Sequence, residues 1–367
     1  MQNKTYILII SSFLIIIAIA IVLSITTKPE NLSSSPKENL EECQTLIYSS
    51  PNAINLVFFA EKSQVQIYAN YLAKTKPFNP DNLNIYYIPT YQPECELYKE
   101  IAILCYSKEL IKKASSCPND YIIVLKEESS GIRSSAYMNV LSLNTRHPKS
   151  VLPHEIAHAL ANLAEEYIPA NLPSRQKNCV SSCDKFKTEI NSCEIGCSKD
   201  SYYRSIDNGI MRTLSSNEYG IYDESLIQEK INSQISSSKI TGKAIYEDCQ
   251  NQNYYLIEAD YNSQQNEIQL QSQTIEQGCV GGSGFGNFNY NLYNNQNEII
   301  SSESFNSQLI FTDAPGKEEI DGEIYENDGK FILKFSAIPG AKKLEILHEG
   351  KTTEINMQGI GARPCRI

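Results

Sequence analysis

The chain after residue 50 alternates short apolar runs with amphipathic stretches. From Val65 to Leu72 the apolar residues recur at i, i+3, i+4 and i+7, which predicts a helix, and 106–115 predicts a second one. Strands that alternate with helices predict an α/β domain with a mainly parallel sheet, which we assign to residues 51–238. The runs of strand type lie at 54–59, 84–89, 121–125 and 136–143.

The pattern changes after about Lys239. Short segments follow in which apolar and polar residues alternate, with Gly, Asn and Asp between them. This texture predicts a small all-β sandwich, which we assign to residues 239–367 as an accessory domain. The alternating segments lie at 254–259, 267–270, 331–335, 344–347 and 353–357.

Residues 6–25 form an apolar segment without a charge. At about 1.5 Å per residue it spans roughly 30 Å, the hydrocarbon thickness of a bilayer. No small-residue cleavage site follows it, so we favour a retained transmembrane anchor over a cleaved signal peptide. Residues 1–5 are then a short tail and residues 26–50, rich in Pro, Ser, Asn and Glu, a linker. We expect the rest of the chain outside the cytoplasm, secreted if the segment is cleaved.

Composition narrows the function classes. The net charge of −11 disfavours a nucleic-acid-binding protein held by phosphate contacts. With 41% hydrophobic residues and 23 Tyr, the chain is too apolar and aromatic for a disordered protein. Its 11 Cys indicate an oxidising compartment and disulfide bonds.

The cysteines at 179, 183, 193 and 197 have a symmetric spacing. Each pair at i and i+4 shares one helical face, which predicts two short antiparallel helices joined by 179–197 and 183–193 bridges. A four-cysteine metal site is the alternative, but such sites usually have two-residue spacing and a reducing compartment. Further bridges are expected at 95–105 or 105–117, and one among Cys249, Cys279 and Cys365.

Residues 154–158 read His-Glu-Ile-Ala-His. On a helix, His154 and His158 lie on one face a turn apart, so both imidazoles can bind one metal ion, and Glu155 can contact a water there. Ser150 is expected to cap the start of this helix. The spacing predicts a zinc site, and catalysis requires a third protein ligand.

The third ligand depends on where the helix ends. In a straight helix residue 165 would lie about 16 Å along the axis from His154, too far to share a metal. Asn162 is the residue best able to adopt a left-handed conformation and end the helix. A break there returns a carboxylate toward the metal, from Glu165 or, as the rival, Glu166.

The stretch HEIAHALANLAEEY resembles the active-site segment of the IgA-peptidase-type zinc metallopeptidases, in which HExGH is followed by Gly and then Asp-Glu-Tyr. In that alignment Asn162 replaces the family's Gly and Glu165 its Asp. The resemblance covers about residues 52–235, roughly half of the chain, and continues to the segment 203–212. It implies a metzincin-like catalytic domain in which Met211 lies in the turn beneath the metal.

These residues lead us to expect a membrane-anchored zinc endopeptidase that acts on a protein or peptide substrate. Glu155 is the expected general base, while Tyr167 or Tyr203 would donate a hydrogen bond to the oxyanion. The strand 136–143, next to the motif helix, is expected to pair with an extended substrate.

The alternative function is that of a non-catalytic adhesion or binding protein on a metallopeptidase scaffold, in which the metal site is structural or lost. The two remaining histidines, His147 and His348, are expected to be surface residues without a role in the site.

Overall fold

The computed structural model describes residues 42–241, 246–281, 286–305, 309–326 and 329–358. The predicted tail, the apolar segment at 6–25 and most of the linker lie outside the described residues. Among the helices that are described, none is both long and apolar enough to cross a membrane.

Within the described residues, strands are interspersed with helices up to residue 161, and most of the later elements are strands. The helices are α1 (Lys62–Leu72), α2 (Lys108–Ala114), α3 (Val151–Ala161) and α4 (Ile221–Thr241). The strands are β1 (Gln44–Ile47), β2 (Ile54–Phe59), β3 (Leu83–Tyr87), β4 (Glu96–Tyr98), β5 (Ala102–Leu104), β6 (Tyr121–Lys126), β7 (Ser134–Tyr137), β8 (Val140–Asn144), β9 (Glu194–Cys197), β10 (Lys199–Arg204), β11 (Asn253–Asn262), β12 (Glu267–Gln277), β13 (Phe288–Asn294), β14 (Ile299–Phe305), β15 (Leu309–Pro315), β16 (Ile320–Glu326), β17 (Lys330–Ser336), β18 (Ala341–His348) and β19 (Lys351–Asn356).

The largest sheet has the strand order β1-β3-β2-β6-β8-β7-β15-β16. Strands β3, β2, β6 and β8 are parallel, whereas the pairs β1–β3, β8–β7, β7–β15 and β15–β16 are antiparallel. The sheet is therefore mixed, and the prediction of a mainly parallel sheet is wrong outside its central strands. The fold is α/β with mostly β content.

The run 136–143, predicted as one strand, is a hairpin. It turns at Met138, whose φ of 53° is left-handed, so that β7 and β8 pair with each other. The outer edge of β7 then pairs with β15, from Ile310 opposite Tyr137 to Asp313 opposite Ser134. The edge that was expected to receive a substrate is thus occupied by the chain's own strand.

Two segments that the sequence assigned to other regions belong to the large sheet. Strand β1, within the predicted linker 26–50, pairs with β3, and a Cys43–Cys117 disulfide ties its start to the residues after α2. The hairpin β15–β16, within the predicted accessory domain 239–367, completes the large sheet. Both corrections arise from long-range pairing that the local pattern does not record.

The rest of the C-terminal part forms two antiparallel sheets, β12-β11-β17 and β14-β13-β18-β19. Strand β11 is buried on both faces, which explains its nearly continuous apolar sequence. Its Tyr255 and Ile257 pack in the core that the two sheets share. Tyr254 and Leu256 pack in another core with α2 and the large sheet. The predicted sandwich is thus packed directly on the catalytic-domain candidate.

Candidate metal centre

Helix α3 carries the His-Glu-Ile-Ala-His motif through the main hydrophobic core, and its residues from Val151 to His158 are all buried. The prediction that Ser150 caps it is wrong. The backbone of Ser150 is already helical, with φ −59° and ψ −16°, and its hydroxyl donates to the carbonyl of Leu214 instead. Helical hydrogen bonding starts earlier, since Val151 N donates to Pro148 O at 3.1 Å.

The two motif imidazoles are oriented by backbone carbonyls. His154 Nδ1 lies 3.1 Å from Ile210 O, and His158 Nδ1 lies 2.7 Å from Leu163 O. A carbonyl only accepts, so both Nδ1 atoms carry the proton and both Nε2 atoms present lone pairs. These Nε2 atoms are 3.1 Å apart. Two facing lone pairs repel each other in a buried site, and a cation bound between them would remove that repulsion.

The helix ends where the sequence predicted. Asn162 has left-handed φ 52° and ψ 39°, and its side chain donates to Ser174 O at 2.9 Å. Beyond it the chain reverses and brings Glu165 Oε1 to 2.9 Å from His158 Nε2. Glu166, the rival ligand, points elsewhere: its carboxylate faces Asn178 and Asp223.

The loop that carries Glu165 is held by the disulfide-rich segment after it. Asn178 accepts from Ala164 N at 2.7 Å and donates to Ala164 O at 2.9 Å. Ser198 Oγ donates to Glu165 O at 2.7 Å. The disulfide Cys179–Cys197 joins the residues next to these two clamps. The segment thereby fixes the backbone on both sides of the third ligand.

A fourth ligand comes from strand β15. Asp313 is fully buried, and its Oδ2 lies 3.3 Å from His154 Nε2 and 3.9 Å from His158 Nε2. Tyr167 OH donates to the other oxygen, Oδ1, at 3.3 Å. Gly322 on β16 lies directly opposite, and a Cβ there would overlap Asp313 Oδ1 and crowd Tyr167 OH. The Asp313 carboxylate therefore occupies space that is free because residue 322 has no side chain.

His154, His158, Glu165 and Asp313 together form a buried group that could bind a metal ion, with all ligand atoms within 4.8 Å of one another. Ligands about 2.0–2.1 Å from a tetrahedral zinc ion are separated by about 3.3–3.4 Å. The five separations that involve a histidine nitrogen run from 2.9 to 3.9 Å and bracket that value. Both Glu165 oxygens and Asp313 Oδ2 have no hydrogen-bond partner, as expected of atoms that ligate a cation.

The electrostatics of the group also favour a cation. Burial raises the pKa of Glu165 well above its ordinary value, and Asp313 raises it further. Burial alone would raise the pKa of Asp313, but His154, His158 and Arg133 outweigh it and lower that pKa. Burial lowers the pKa of His158, and the Asp313 carboxylate opposes that shift.

Glu155 lies beside this group and is fully buried, yet neither of its carboxylate oxygens has a hydrogen-bond partner. Burial raises its pKa well above the ordinary value, and the charges of Asp313 and Glu165 raise it further. An unpaired buried carboxylate costs several kcal/mol of stability.

The two tyrosines predicted to stabilise the oxyanion have different surroundings. Tyr167 contacts Asp313, whereas Tyr203 lies on β10, where its backbone pairs with Val180 and its hydrogen bonds do not reach the metal group. Met211 is fully buried in the core, and its carbonyl accepts from Glu166 N at 2.9 Å. His154 is held by the adjacent carbonyl of Ile210, so this turn does lie against the site.

The expectation that the remaining histidines are surface residues is wrong, since each is only 3% exposed. His147 bonds to Ser134 Oγ at 3.0 Å and lies 3.3 Å from Ser130 O. His348 stacks on Phe288 with ring centroids 3.8 Å apart. Neither belongs to the metal group.

The disulfides are mostly those that the spacing indicated. The 179–197, 183–193 and 95–105 pairs are present, and Cys249 pairs with Cys279, while Cys365 lies outside the described residues. The prediction of two helices around the first two bridges is wrong. The segment is instead a short 3₁₀ turn at Cys183–Lys185 and the strand pair β9–β10.

Asp313 is a candidate metal ligand that the sequence did not predict. The available signal was a single carboxylate within the otherwise apolar run LIFTDAP, all but the ends of which is buried. In comparisons with protein-family models and with curated proteins, no match to this chain was found.

Proposed function

We propose that this chain is a zinc-dependent endopeptidase of the metzincin-like, IgA-peptidase type, anchored to a membrane through residues 6–25. The observation that carries the proposal is Glu155: a buried carboxylate without hydrogen bonds next to two histidines and two acids. A purely structural metal site has no use for such a group. The bridges in the described residues support an extracytoplasmic location.

Zinc is the ion that this ligand set favours. Imidazole nitrogens suit zinc, copper, iron and nickel, whereas calcium and magnesium prefer sets made of oxygen only. The near-tetrahedral separations match zinc, and carboxylates complete many zinc sites. When bound, such an ion supplies a Lewis acid that polarises a carbonyl and lowers the pKa of a water to about 7.

The chain's own groups then do the proton transfers. Glu155 accepts a proton from the water that attacks the peptide carbonyl and delivers it to the nitrogen of the leaving amine, so that one water yields one carboxyl and one amine. Its low-dielectric surroundings suit both steps, because burial brings its pKa upward. Tyr167 is the hydroxyl donor nearest to the position of the fourth ligand and is the better candidate than Tyr203 to stabilise the oxyanion.

A second candidate function is favoured by Asp313. Four protein ligands are typical of structural zinc sites, whereas catalytic sites keep one position open. On this reading the ion only stabilises the fold, and the protein is a non-catalytic binding or adhesion protein.

The test measures zinc content and peptide hydrolysis on the full chain in detergent. We compare Glu155→Gln with Glu61→Gln, a matched change at an exposed position at the start of α1. Because Asp313 lies on the fourth position, both changes are also made in an Asp313→Asn chain. We expect one zinc per chain throughout. In the Asp313→Asn chain, hydrolysis should fall by about 10²–10⁴-fold for Glu155→Gln and stay unchanged for Glu61→Gln.

Hydrolysis that a chelator abolishes and zinc restores would support the proposal. Equal rates for Glu155→Gln and Glu61→Gln contradict the role of Glu155. One zinc per chain with no hydrolysis in either background supports the structural site instead.

A further inference from the structure

We infer that the hairpin β15–β16 is a built-in inhibitor: β15 occupies the edge of β7 where an extended substrate peptide would bind, and Asp313 occupies the fourth ligand position. The chain in this conformation is a latent enzyme. This inference rests on the proposed function and adds the regulation and the binding mode of the same site.

The first support is the position of β15 along β7. The strands pair antiparallel over four residues, and the pairing ends with Asp313 opposite Ser134. Strand β7 lies against the motif helix, since Ala136 packs in the same core as Ile156 and Leu160. A peptide that adds as a strand to this edge therefore passes the metal ligands, and β15 does so here.

The second support is what β15 presents to the site. Residues two apart on a strand share a face, and Phe311 and Asp313 share the one toward α3. Phe311 stacks on His158 with ring centroids 4.1 Å apart and planes 16° apart. Asp313 then reaches both Nε2 atoms. Thr312, between them, donates to Glu323 O instead. One face of a single strand thus covers the ligand set as a bound peptide would.

The third support is that the hairpin is shaped around the inserted carboxylate. Gly322 leaves the space that Asp313 Oδ1 and Tyr167 OH fill. The hairpin is then fastened from outside by Arg133, 2.7 Å from Asp321, and by Arg212, 2.6 Å from Glu319. Tyr167 holds the blocking carboxylate, and the same hydroxyl is the donor proposed for the oxyanion. Removing Asp313 therefore opens a ligand position and frees that donor together.

The experiment compares the full native chain with Asp313→Ala and Asp313→Asn. Asp313→Asn keeps the size of the side chain and its acceptor for Tyr167, so it remains informative if Asp313→Ala folds poorly. The control is Glu318→Ala, which removes an exposed carboxylate from the turn of the same hairpin without touching the metal group. Each protein is loaded with Co²⁺, and its visible absorption is titrated with acetohydroxamate, a small metal ligand. Hydrolysis of quenched-fluorescent peptides is measured on the zinc forms.

We expect one metal per chain in every protein. Acetohydroxamate should change the Co²⁺ spectrum saturably in the two Asp313 variants and leave the spectra of the native chain and Glu318→Ala unchanged. Hydrolysis should rise at least tenfold in the same two variants, because without the contacts of Asp313 to the metal group β15 is released from the edge of β7. The synthetic heptapeptide LIFTDAP, the sequence of β15, should inhibit the activated variants, and LIFTAAP should inhibit at least tenfold less well.

Two results overturn the inference while leaving the proposed function standing. In one, the native chain binds acetohydroxamate and hydrolyses peptides as well as the Asp313 variants do. In the other, the native chain is active and both variants lose their metal, which makes Asp313 a structural ligand. If the variants bind metal and acetohydroxamate but hydrolyse no peptide, the proposed function itself fails, and latency with it.

Discussion

The left-handed turn at Asn162 decides whether the third ligand reaches the metal, and it can be tested by two substitutions that differ only in a methyl group. Asn162→Gly and Asn162→Ala both remove the side-chain hydrogen bond to Ser174 O. Only alanine also places a Cβ in a backbone conformation with φ 52°. The difference between the two variants therefore isolates the backbone conformation from the hydrogen bond.

The expected magnitudes follow from these two contributions. The lost hydrogen bond costs about 1 kcal/mol in both variants. An alanine in the left-handed region costs about 1–2 kcal/mol more than glycine, which is partly balanced by the greater freedom of glycine in the unfolded chain. We expect Asn162→Gly to lose about 1 kcal/mol and Asn162→Ala about 2 kcal/mol of unfolding free energy.

The same order is expected for zinc affinity, because strain at Asn162 displaces the loop that carries Glu165. Every 1.4 kcal/mol corresponds to a tenfold change in affinity, so a loss of about 2 kcal/mol corresponds to zinc binding up to about 30-fold weaker in the alanine variant than in the native chain. The assays are urea unfolding and competition with a zinc chelator of known affinity.

The control is Asn266→Ala, a left-handed asparagine with φ 47° in the turn between β11 and β12. Its side chain also accepts a hydrogen bond, from Tyr261 OH at 3.4 Å. It should lose stability without losing zinc affinity. Our reasoning is refuted if Asn162→Ala is as stable as Asn162→Gly, or if Asn266→Ala weakens zinc binding equally.

Two further predictions follow from the residues around the site. Replacing Cys179 and Cys197 by alanine should weaken zinc binding about 10–100-fold in a chelator competition, because that bridge supports the Glu165 loop, whereas replacing Cys183 and Cys193 should not; equal losses contradict this. Burial lowers the pKa of His147 in the folded chain below the ordinary value of about 6.5. Below about pH 6.5 the unfolded chain therefore binds more protons than the folded chain, and the folded chain loses stability as the pH falls. Urea unfolding at pH 7.5 and 5.5 should show a smaller loss for His147→Gln than for the native chain, and equal losses refute the assignment.

The features that the sequence predicted correctly are local ones. The motif helix, its end at Asn162 and the return of Glu165 depend on residues within one short stretch, where backbone conformation follows from residue type. The pairing of 179 with 197 and of 183 with 193 was predicted from two helices that are absent, so the bridges are confirmed although the reason given for them is wrong. Spacing fixes which cysteines can meet, but not the secondary structure between them.

The features that were wrong depend on what packs against a residue from elsewhere. An apolar run such as 136–143 is compatible with one strand or with a hairpin, and the turn at Met138 has no Gly or Pro to mark it. His147 is buried because β7 supplies Ser134 as a partner, and His348 because Phe288 stacks on it. None of these partners is visible in the sequence around the residue itself.

Asp313 shows why the active and latent readings of this site could not be separated from the sequence. Three ligands come from a single stretch of chain, from His154 to Glu165, and the motif alone predicts them with an open fourth position. The fourth comes from a hairpin far along the chain, and only the pairing of β15 with β7 brings it to the metal. Our inference of latency requires that the hairpin leaves while the helix and its loop keep their arrangement. The motif stretch therefore predicts three candidate ligands, whereas the position of the hairpin determines whether the fourth ligand position is open.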